Sequence, residues 1–467
     1  MRRRVDVVIV GAGGTGSDVC TALAGAGLSV VMAEREVLGG ECSHFGCDPT
    51  KALLKSARVA AIARRGEEFG IHIPTVGPDF GLAIERARRL IEEETAAGAA
   101  PYEALGATVL LQEARVVGEH LVEMADGTQF EADRIVLTTG SEATAPTIPG
   151  LDRGGWWTNR EALWHGEGLP SSLFVLGAGA IGVEFAQIYA RFGSDVTLVE
   201  AAPRILSLED ADSSAAMARY LQDEGVHLHT GQRAVRVDGP TVTGSGWRIE
   251  FEGGAHDVLT ADRLLIATGR RPVFDGHDLD AAGVELGDHG RPKLTDTLRT
   301  TSPHIWVGGD ATGEQLFTHV GGYEAEVIVA DILGRPFRRD YGVVPRVTFS
   351  EPEVASVGLT EEQAQDEGMD VRVAVASFEH NPRSFLEGET AGHVKLVTDA
   401  STGMLIGGHI LGELAGELIH EVVAIMSGGV PAKVAADAIH AYPTRSEAVR
   451  SALRQLGEDG GIPPTSH

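Results

Sequence analysis

The sequence predicts an α/β protein of several domains: two parallel-stranded βαβ units, then an α+β segment built on an antiparallel sheet. Three observations carry that expectation. The chain has 467 residues, too many for one hydrophobic core, so two to four domains are expected. Two stretches, Val5–Glu34 and Ser171–Glu200, repeat one layout: an apolar run, G-x-G-x-x-G, an amphipathic stretch of helical length, a glycine-containing turn, a second apolar run and a glutamate. After residue 342 the pattern changes, with alternating segments such as PRVTFSEPEVASVGL and GHVKLVTD mixed with the helical AGELIHEVVAIMSGG.

In each repeated unit the chemistry of a bound dinucleotide accounts for the spacing. Gly11 and Gly177 make the tight turn, Gly13 and Gly179 admit a pyrophosphate close to the backbone, and Gly16 and Gly182 let the helix pack on the strand. Glu34 and Glu200 each follow the first glycine by 23 residues and are placed to hydrogen-bond a ribose. One such motif is weak in a chain with 60 glycines; two, each answered by an acid, are strong. Further on, Ile135–Gly150 and Leu264–Phe274 repeat a strand that ends in Thr-Gly, at Thr139-Gly140 and at Thr268-Gly269. Thr301–Gly313 is an apolar strand ending in Gly-Gly-Asp, which is expected to leave Asp310 exposed at the strand's carboxyl end. The tail after Leu456 reads as disordered.

Composition excludes several classes. Apolar residues are 43% of the chain, and no unbroken apolar run approaches the ~20 residues of a membrane helix. A net charge of −28 repels phosphate backbones, so nucleic acid is not an expected partner. The basic residues at the N-terminus precede an apolar run, Val5 to Val10, that is short, broken by Asp6 and not followed by a cleavage site. A cytoplasmic protein is expected. In that reducing setting the pair Cys42 and Cys47, in a chain whose other cysteine is Cys20, stands open to three readings: a staple, a metal clip or a redox centre.

Taken in order, the motifs resemble those of the flavin-dependent pyridine nucleotide-disulfide oxidoreductases, the group of lipoamide dehydrogenase, glutathione reductase, mercuric reductase and soluble transhydrogenase. The resemblance implies FAD in the first nucleotide unit, NAD(P)H in the second and a homodimer formed through the last domain. It implies an FAD-binding domain in two parts (1–150 and 271–342), an NAD-binding domain (151–270) and a dimerisation domain (343–467). Gly11, Gly13, Gly16, Glu34, Gly40, Thr139, Gly140 and Asp310 would hold FAD, and Gly177, Gly179, Gly182, Glu200 and Gly269 the nicotinamide nucleotide. Lys51, paired with Glu184, would stand where hydride crosses to the flavin. Glu200 favours NADH, since a carboxylate repels a 2′-phosphate and no arginine immediately follows it.

By the same resemblance, Cys42 exchanges with the substrate, while Cys47 lies against the flavin as a charge-transfer thiolate, the two forming a redox-active disulfide. Residues five apart in an ideal helix lie ~8–9 Å apart, beyond the ~7 Å that a disulfide tolerates. The bond therefore needs a distorted turn, which Gly46 helps to permit, and such disulfides are easily reduced. Metal ligation is the rival, with His44 as a further ligand, but the spacing is not C-x-x-C and Cys20 reads as a core residue. No metal is expected. Asp48, where the family has an apolar residue, would raise the thiolate's pKa if it pointed inward; it is expected to face solvent.

The chain departs from the disulfide-reducing pattern in IHAYPTRSEAV, Ile439 to Val449. Tyr442 stands where the family's proton-shuttling histidine belongs, while Glu447 keeps its place. Tyrosine, with a pKa of about 10 against about 6.5 for histidine, is a poor base at neutral pH. Thr444 and Glu447 also read as a T-x-x-E capping box, His440 as a contact or core residue, and His319 as packing under the flavin. The function that follows is an NADH oxidoreductase passing electrons through FAD and Cys47/Cys42 to a disulfide or other acceptor. The alternatives are a soluble transhydrogenase, a quinone- or diaphorase-type or metal reductase using the flavin directly, and a non-catalytic redox sensor.

Overall fold

The computed structural model describes residues 2–166, 168–239, 246–252 and 259–457; the tail from residue 458, expected to be disordered, lies outside them. The chain divides into two compact units. The first comprises Met1–Ala52, Leu82–Thr144 and Gly269–Asp340, the second Leu53–Gly81, Ala145–Thr268 and the chain from Tyr341.

In the first unit the strand Arg2–Val10 begins charged and exposed and ends in Val7–Val10, buried on both sides. A central parallel strand reads as an unbroken apolar run for that reason. Alternate residues serve opposite faces. Val7 and Ile9 pack with Val19, Leu23, Val327 and Ile328 of the helices Gly14–Gly25 and Thr318–Ile332. Val8 and Val10 pack with Val122, Ile135 and Leu279. The sheet runs Thr108–Leu110, Val30–Ala33, Arg2–Val10, Gln129–Leu137, Leu121–Met124, Ala114–Gly118, and Ile305–Val307 also pairs with Gln129–Leu137.

Register decides what this sheet presents. Val10 pairs with both Ala33 and Leu137, and Leu137 with Val307, all in parallel. The next residues, Gly11, Glu34, Thr138 and Gly308, therefore emerge side by side at the carboxyl edge, where open parallel sheets bind ligands.

The second unit repeats the device. Its sheet runs His227–Thr230, Asp195–Glu200, Ser172–Leu176, Arg263–Ile266. Leu176 pairs in parallel with Val199 and Ile266, so Gly177, Glu200 and Ala267 emerge together. The same unit holds the expected antiparallel sheet, in the order Pro345–Thr348, Glu353–Gly358, Leu405–Gly412, His393–Asp399, Val371–Ser377. The helices Ala415–Ser427 and Ser446–Gly457 bury Ile419, Val422, Val449 and Leu453 against Val394, Leu396 and Ile410. The α/β class with a C-terminal α+β region is borne out.

A side chain at Gly16 would place its Cβ 2.0 Å from the carbonyl oxygen of Gly11 and 2.6 Å from the Thr138 hydroxyl, whereas one at Gly25 meets nothing within 4 Å. Gly16→Ala is accordingly expected to cost about 1–3 kcal/mol by overpacking and Gly25→Ala to cost none, as urea unfolding of both variants will show.

Candidate active site

The cysteine segment is two helices, not one. Gly40–Phe45 ends at Gly46, whose φ of −123° and ψ of −107° are non-helical, and Cys47–Arg64 starts immediately after it. The expected distorted turn is thus a full break at Gly46. A Cβ there would come within 3.1 Å of the Glu41 carbonyl oxygen, so the turn closes on a bare backbone. The Gly46 carbonyl then accepts from the Thr50 N–H (3.2 Å) and hydroxyl (2.6 Å), which anchors the second helix. Cys47 heads an 18-residue helix, where the positive dipole end favours a thiolate.

Both sulfurs are half-buried free thiols, the reduced form of the expected pair. Thr318, at the start of the helix Thr318–Ile332, joins them: its hydroxyl donates to Cys42 Sγ at 3.1 Å and lies 3.5 Å from Cys47 Sγ. The hydrogen bond from the Cys42 thiol is the largest influence holding Cys47 down to a pKa of about 6. Thr318 and the charge of Lys51, one turn along, add to it; burial and the Asp48 carboxylate oppose it. The same bond, with burial, pushes Cys42 far up. The proton stays on Cys42 and the thiolate is Cys47. Asp48 corrects its expectation: it is half-buried, and its charge reaches both sulfurs as the smallest of these influences.

The other thiol falls where the sequence puts it, whereas His44 is not a solvated loop residue but half-buried in the helix Gly40–Phe45. Cys20 is fully buried, with its pKa raised to about 11 by burial. His44 Nε2 donates to the Leu38 carbonyl at 2.9 Å. His319 stacks on Phe317 at 5.4 Å between centroids.

Around the first nucleotide turn, Gly13 begins the helix Gly14–Gly25 with no side-chain cap, and a Cβ on it would meet nothing within 4 Å. Gly40 abuts Gly13, and a Cβ on Gly14 would come 4.0 Å from the Thr318 methyl, so the turn and the cysteine pair adjoin. Glu34 accepts from the N–H groups of Ala12 and Glu36, both at 2.8 Å. Glu200 does the same in the second unit, from Ala178 (2.7 Å) and Ala202 (2.8 Å). Each carboxylate fastens its turn and keeps lone pairs for a ribose hydroxyl.

Asp310 lies in the helical turn Gly309–Thr312 and is 30% exposed rather than free: it accepts from the Ser141 hydroxyl at 2.5 Å, 3.9 Å from Arg270. Arg270 also lies 3.5 Å from Glu41, beside Cys42. The Gly269 carbonyl accepts from Thr144 N–H, and Gly140 follows Thr139, whose buried hydroxyl has no partner. An open glycine turn at a helix N-terminus and an unsatisfied buried hydroxyl fit a dinucleotide cofactor such as FAD.

In the second unit Gly179 caps the helix Ala180–Phe192 without a side-chain bond, and Gly182 packs against the Gly177 carbonyl. Glu184, on that helix, is buried and accepts from the Phe349 N–H at 2.9 Å. Tyr442 is 70% exposed and Ile439 95%. His440 is turned inward, with Nε2 2.7 Å from Glu421, and its side chain is 8% exposed. Half of the expected capping box forms: Glu447 accepts from the Thr444 N–H, while the Thr444 hydroxyl donates to the Ala441 carbonyl.

Thr318, Ser141 and Arg270 were not among the expected site residues. Thr318 lies in the FTHVGG stretch, whose only signal in the sequence was the neighbouring histidine.

A family model described as pyridine nucleotide-disulphide oxidoreductase matches residues 5–326, and one for that family's dimerisation domain matches 344–453. A dihydrolipoyl dehydrogenase of Chlorobaculum tepidum is 39% identical over 96% of both chains. A mercuric reductase of Bacillus cereus is 32% identical over 97% of this chain and 72% of its own. The HOCl-induced flavoprotein disulfide reductase RclA of Escherichia coli superposes with a TM-score of 0.86 at 29% identity, over 96% of this chain and 99% of that one.

In the reduced protein the rate of iodoacetamide labelling at Cys47 is expected to rise with a midpoint near pH 6, because the thiolate exists above that pKa and the unreactive thiol below it. Cys42→Ala removes the hydrogen bond that lowers the Cys47 pKa most, and Thr318→Val removes the hydroxyl beside both sulfurs; each is expected to move the midpoint upward.

Proposed function

We propose that this chain, which belongs to the pyridine nucleotide-disulphide oxidoreductase family, passes electrons from NADH through FAD to Cys47 and Cys42 and then to a disulfide or another two-electron acceptor. Membership makes it an FAD- and pyridine nucleotide-dependent disulfide oxidoreductase with the family's dimerisation domain. The domain limits at 150, 270 and 342 and the roles of Lys51 and Glu184 at the hydride step are part of the proposal, as is a cytoplasmic setting. No described helix is long and apolar enough to cross a membrane.

The observation that carries this reading is the asymmetric thiol pair bridged by Thr318 across the Gly46 break. Bound FAD would supply the two-electron carrier between nicotinamide and the thiols, held by Gly11, Gly13, Gly16, Glu34, Gly40, Thr139, Gly140 and Asp310. Starting from Cys42–SH and Cys47–S⁻, reduction of a disulfide balances in two steps. The Cys42 sulfur bonds to one acceptor sulfur as the acceptor S–S breaks, and the Cys42 proton goes to the departing sulfur. The Cys47 thiolate then attacks Cys42, forming the internal disulfide and releasing the second acceptor sulfur as a thiolate.

NADH is supported over NADPH by Glu200, which a 2′-phosphate would meet as like charge. Arg204, the nearest arginine along the chain, is directed to Ser207 and Glu362. A homodimer is supported by the dimerisation-domain match and by the exposure of Ile439, Tyr442 and Val434 within it. Tyr442 supports an acceptor that asks little of an external base, a metal ion included.

Anaerobic NADH titration followed by lipoamide, Hg(II) or a quinone tests the reading. Cys42→Ser is expected to abolish reduction of disulfide acceptors, and undiminished turnover in that variant would rule out the cysteine relay. Tyr442→His restores a base of suitable pKa and is expected to raise lipoamide turnover by on the order of a hundredfold, with a new pH dependence near that of histidine.

A further inference from the structure

We propose that Glu119, His120 and His304 form a structural binding site for a divalent transition-metal ion of the kind imidazole suits, Zn²⁺ or Cu²⁺, away from the cysteine pair. One ligand atom from each of the three lies within 4.8 Å of the others, and among the described residues this is the one cluster of three histidine, cysteine or carboxylate groups so close. Two imidazoles and a carboxylate are a donor set for zinc and copper(II), with water completing the coordination.

Each ring commits one nitrogen to a backbone carbonyl and keeps the other. His120 Nδ1 lies 2.8 Å from the Ala132 carbonyl, and His304 Nε2 is bonded to the Glu119 carbonyl. A carbonyl only accepts, so each of these nitrogens carries its proton, and the other nitrogen of each ring keeps a lone pair. Donation of one ring N–H to a backbone carbonyl is the support that metal-binding histidines commonly have. The rings stack at 3.8 Å between centroids, 25° apart.

The backbone fixes them as firmly. Glu119 and His120 form the turn between the strands Ala114–Gly118 and Leu121–Met124, and His304 directly precedes Ile305–Val307. Ala132 donates to the His120 carbonyl at 2.9 Å and Ile135 to the His304 carbonyl at 2.9 Å, so both histidines hang on the strand Gln129–Leu137. Glu119 and His120 are exposed, which leaves the site open to solvent on their side, and His304 lines a cleft of about 470 Å³ together with Asp133, Arg134, Arg299 and Asp331. An ion here would tie the hairpin turn to the amino end of the strand whose other end leads into Asp310. It would stabilise the folded chain by mass action.

The test uses the chelator-treated, fully oxidised holoenzyme, in which Cys42 and Cys47 are joined and offer no thiolate. Titration with Zn²⁺ alone by calorimetry is expected to show one site per chain and a rise in melting temperature. His120→Ala, at an exposed position, is expected to weaken that site on the order of tenfold or more, with unchanged flavin absorbance and unchanged metal-free melting. His227→Ala, at an exposed histidine paired with Asp195, is the control and is expected to bind as the parent does. No heat of Zn²⁺ binding in the parent, or unchanged affinity in His120→Ala, overturns the proposal.

Discussion

The carbonyl of Gly11 occupies the volume into which any side chain at Gly16 would project, so the first strand and its helix meet as bare backbone on bare backbone. That close approach sets the helix N-terminus at the carboxyl edge of the sheet. The parallel register of Val10 with Ala33 and Leu137 then brings Glu34 and Thr138 to the same edge. The second unit meets the same constraint, with a Cβ on Gly182 falling 1.9 Å from the Gly177 carbonyl oxygen. In both units the terminal glutamate accepts from the N–H that follows the first glycine, Ala12 or Ala178. The carboxylate thereby locks the turn before any ligand arrives, which reduces the ordering cost of binding.

The thiol pair depends on this edge. Thr318 belongs to the helix that packs on the same face of the sheet as Gly14–Gly25, and a Cβ on Gly14 would just reach its methyl. Its hydroxyl therefore reaches two sulfurs held on separate helices either side of Gly46. Were the cysteine segment one regular helix, the sulfurs would diverge and neither a mutual hydrogen bond nor a disulfide would form. The break also puts Cys47 at a helix N-terminus and leaves Cys42 in the last turn of the preceding short helix. Two chemically identical groups are pushed to opposite protonation states.

What the sequence made legible was what chain-local spacing encodes. The twin nucleotide units, the strand endings at Thr139-Gly140 and Asp310, the C-terminal sheet and the role of Gly46 all rest on residues a few positions apart. What it hid rests on contacts between distant positions. Thr318 meets Cys42 across 276 residues, and Arg270 reaches Glu41 and Asp310 through the folded edge. His120 and His304 have no metal-ligand spacing at all, since only the pairing of their strands with Gln129–Leu137 brings them together. Local patterns also overreached once: the T-x-x-E signature at Thr444 gave only half a capping box, because the Thr444 hydroxyl found the Ala441 carbonyl first.

On the proposed reading position 442 has lost its proton shuttle, and His440 is held away from that position by the packing of the segment. Arg445, three residues on and nearly fully buried, bonds Glu387 at 2.7 Å and also Glu413. Glu413 in turn bonds Arg58, which bonds Glu351 at 2.9 Å, and Glu351 bonds Arg191. Asn381 donates to the Thr444 carbonyl at 3.0 Å. Arg445, Arg58 and Arg191 each hold two carboxylates, and Glu413 and Glu351 two arginines apiece, so the network fixes this stretch from several sides. Its backbone presents Tyr442 outward while His440 is held inward on Glu421. Tyr442 is therefore the titratable side chain this stretch exposes, and on the proposed reading the pair Cys42 and Cys47 manages its own proton.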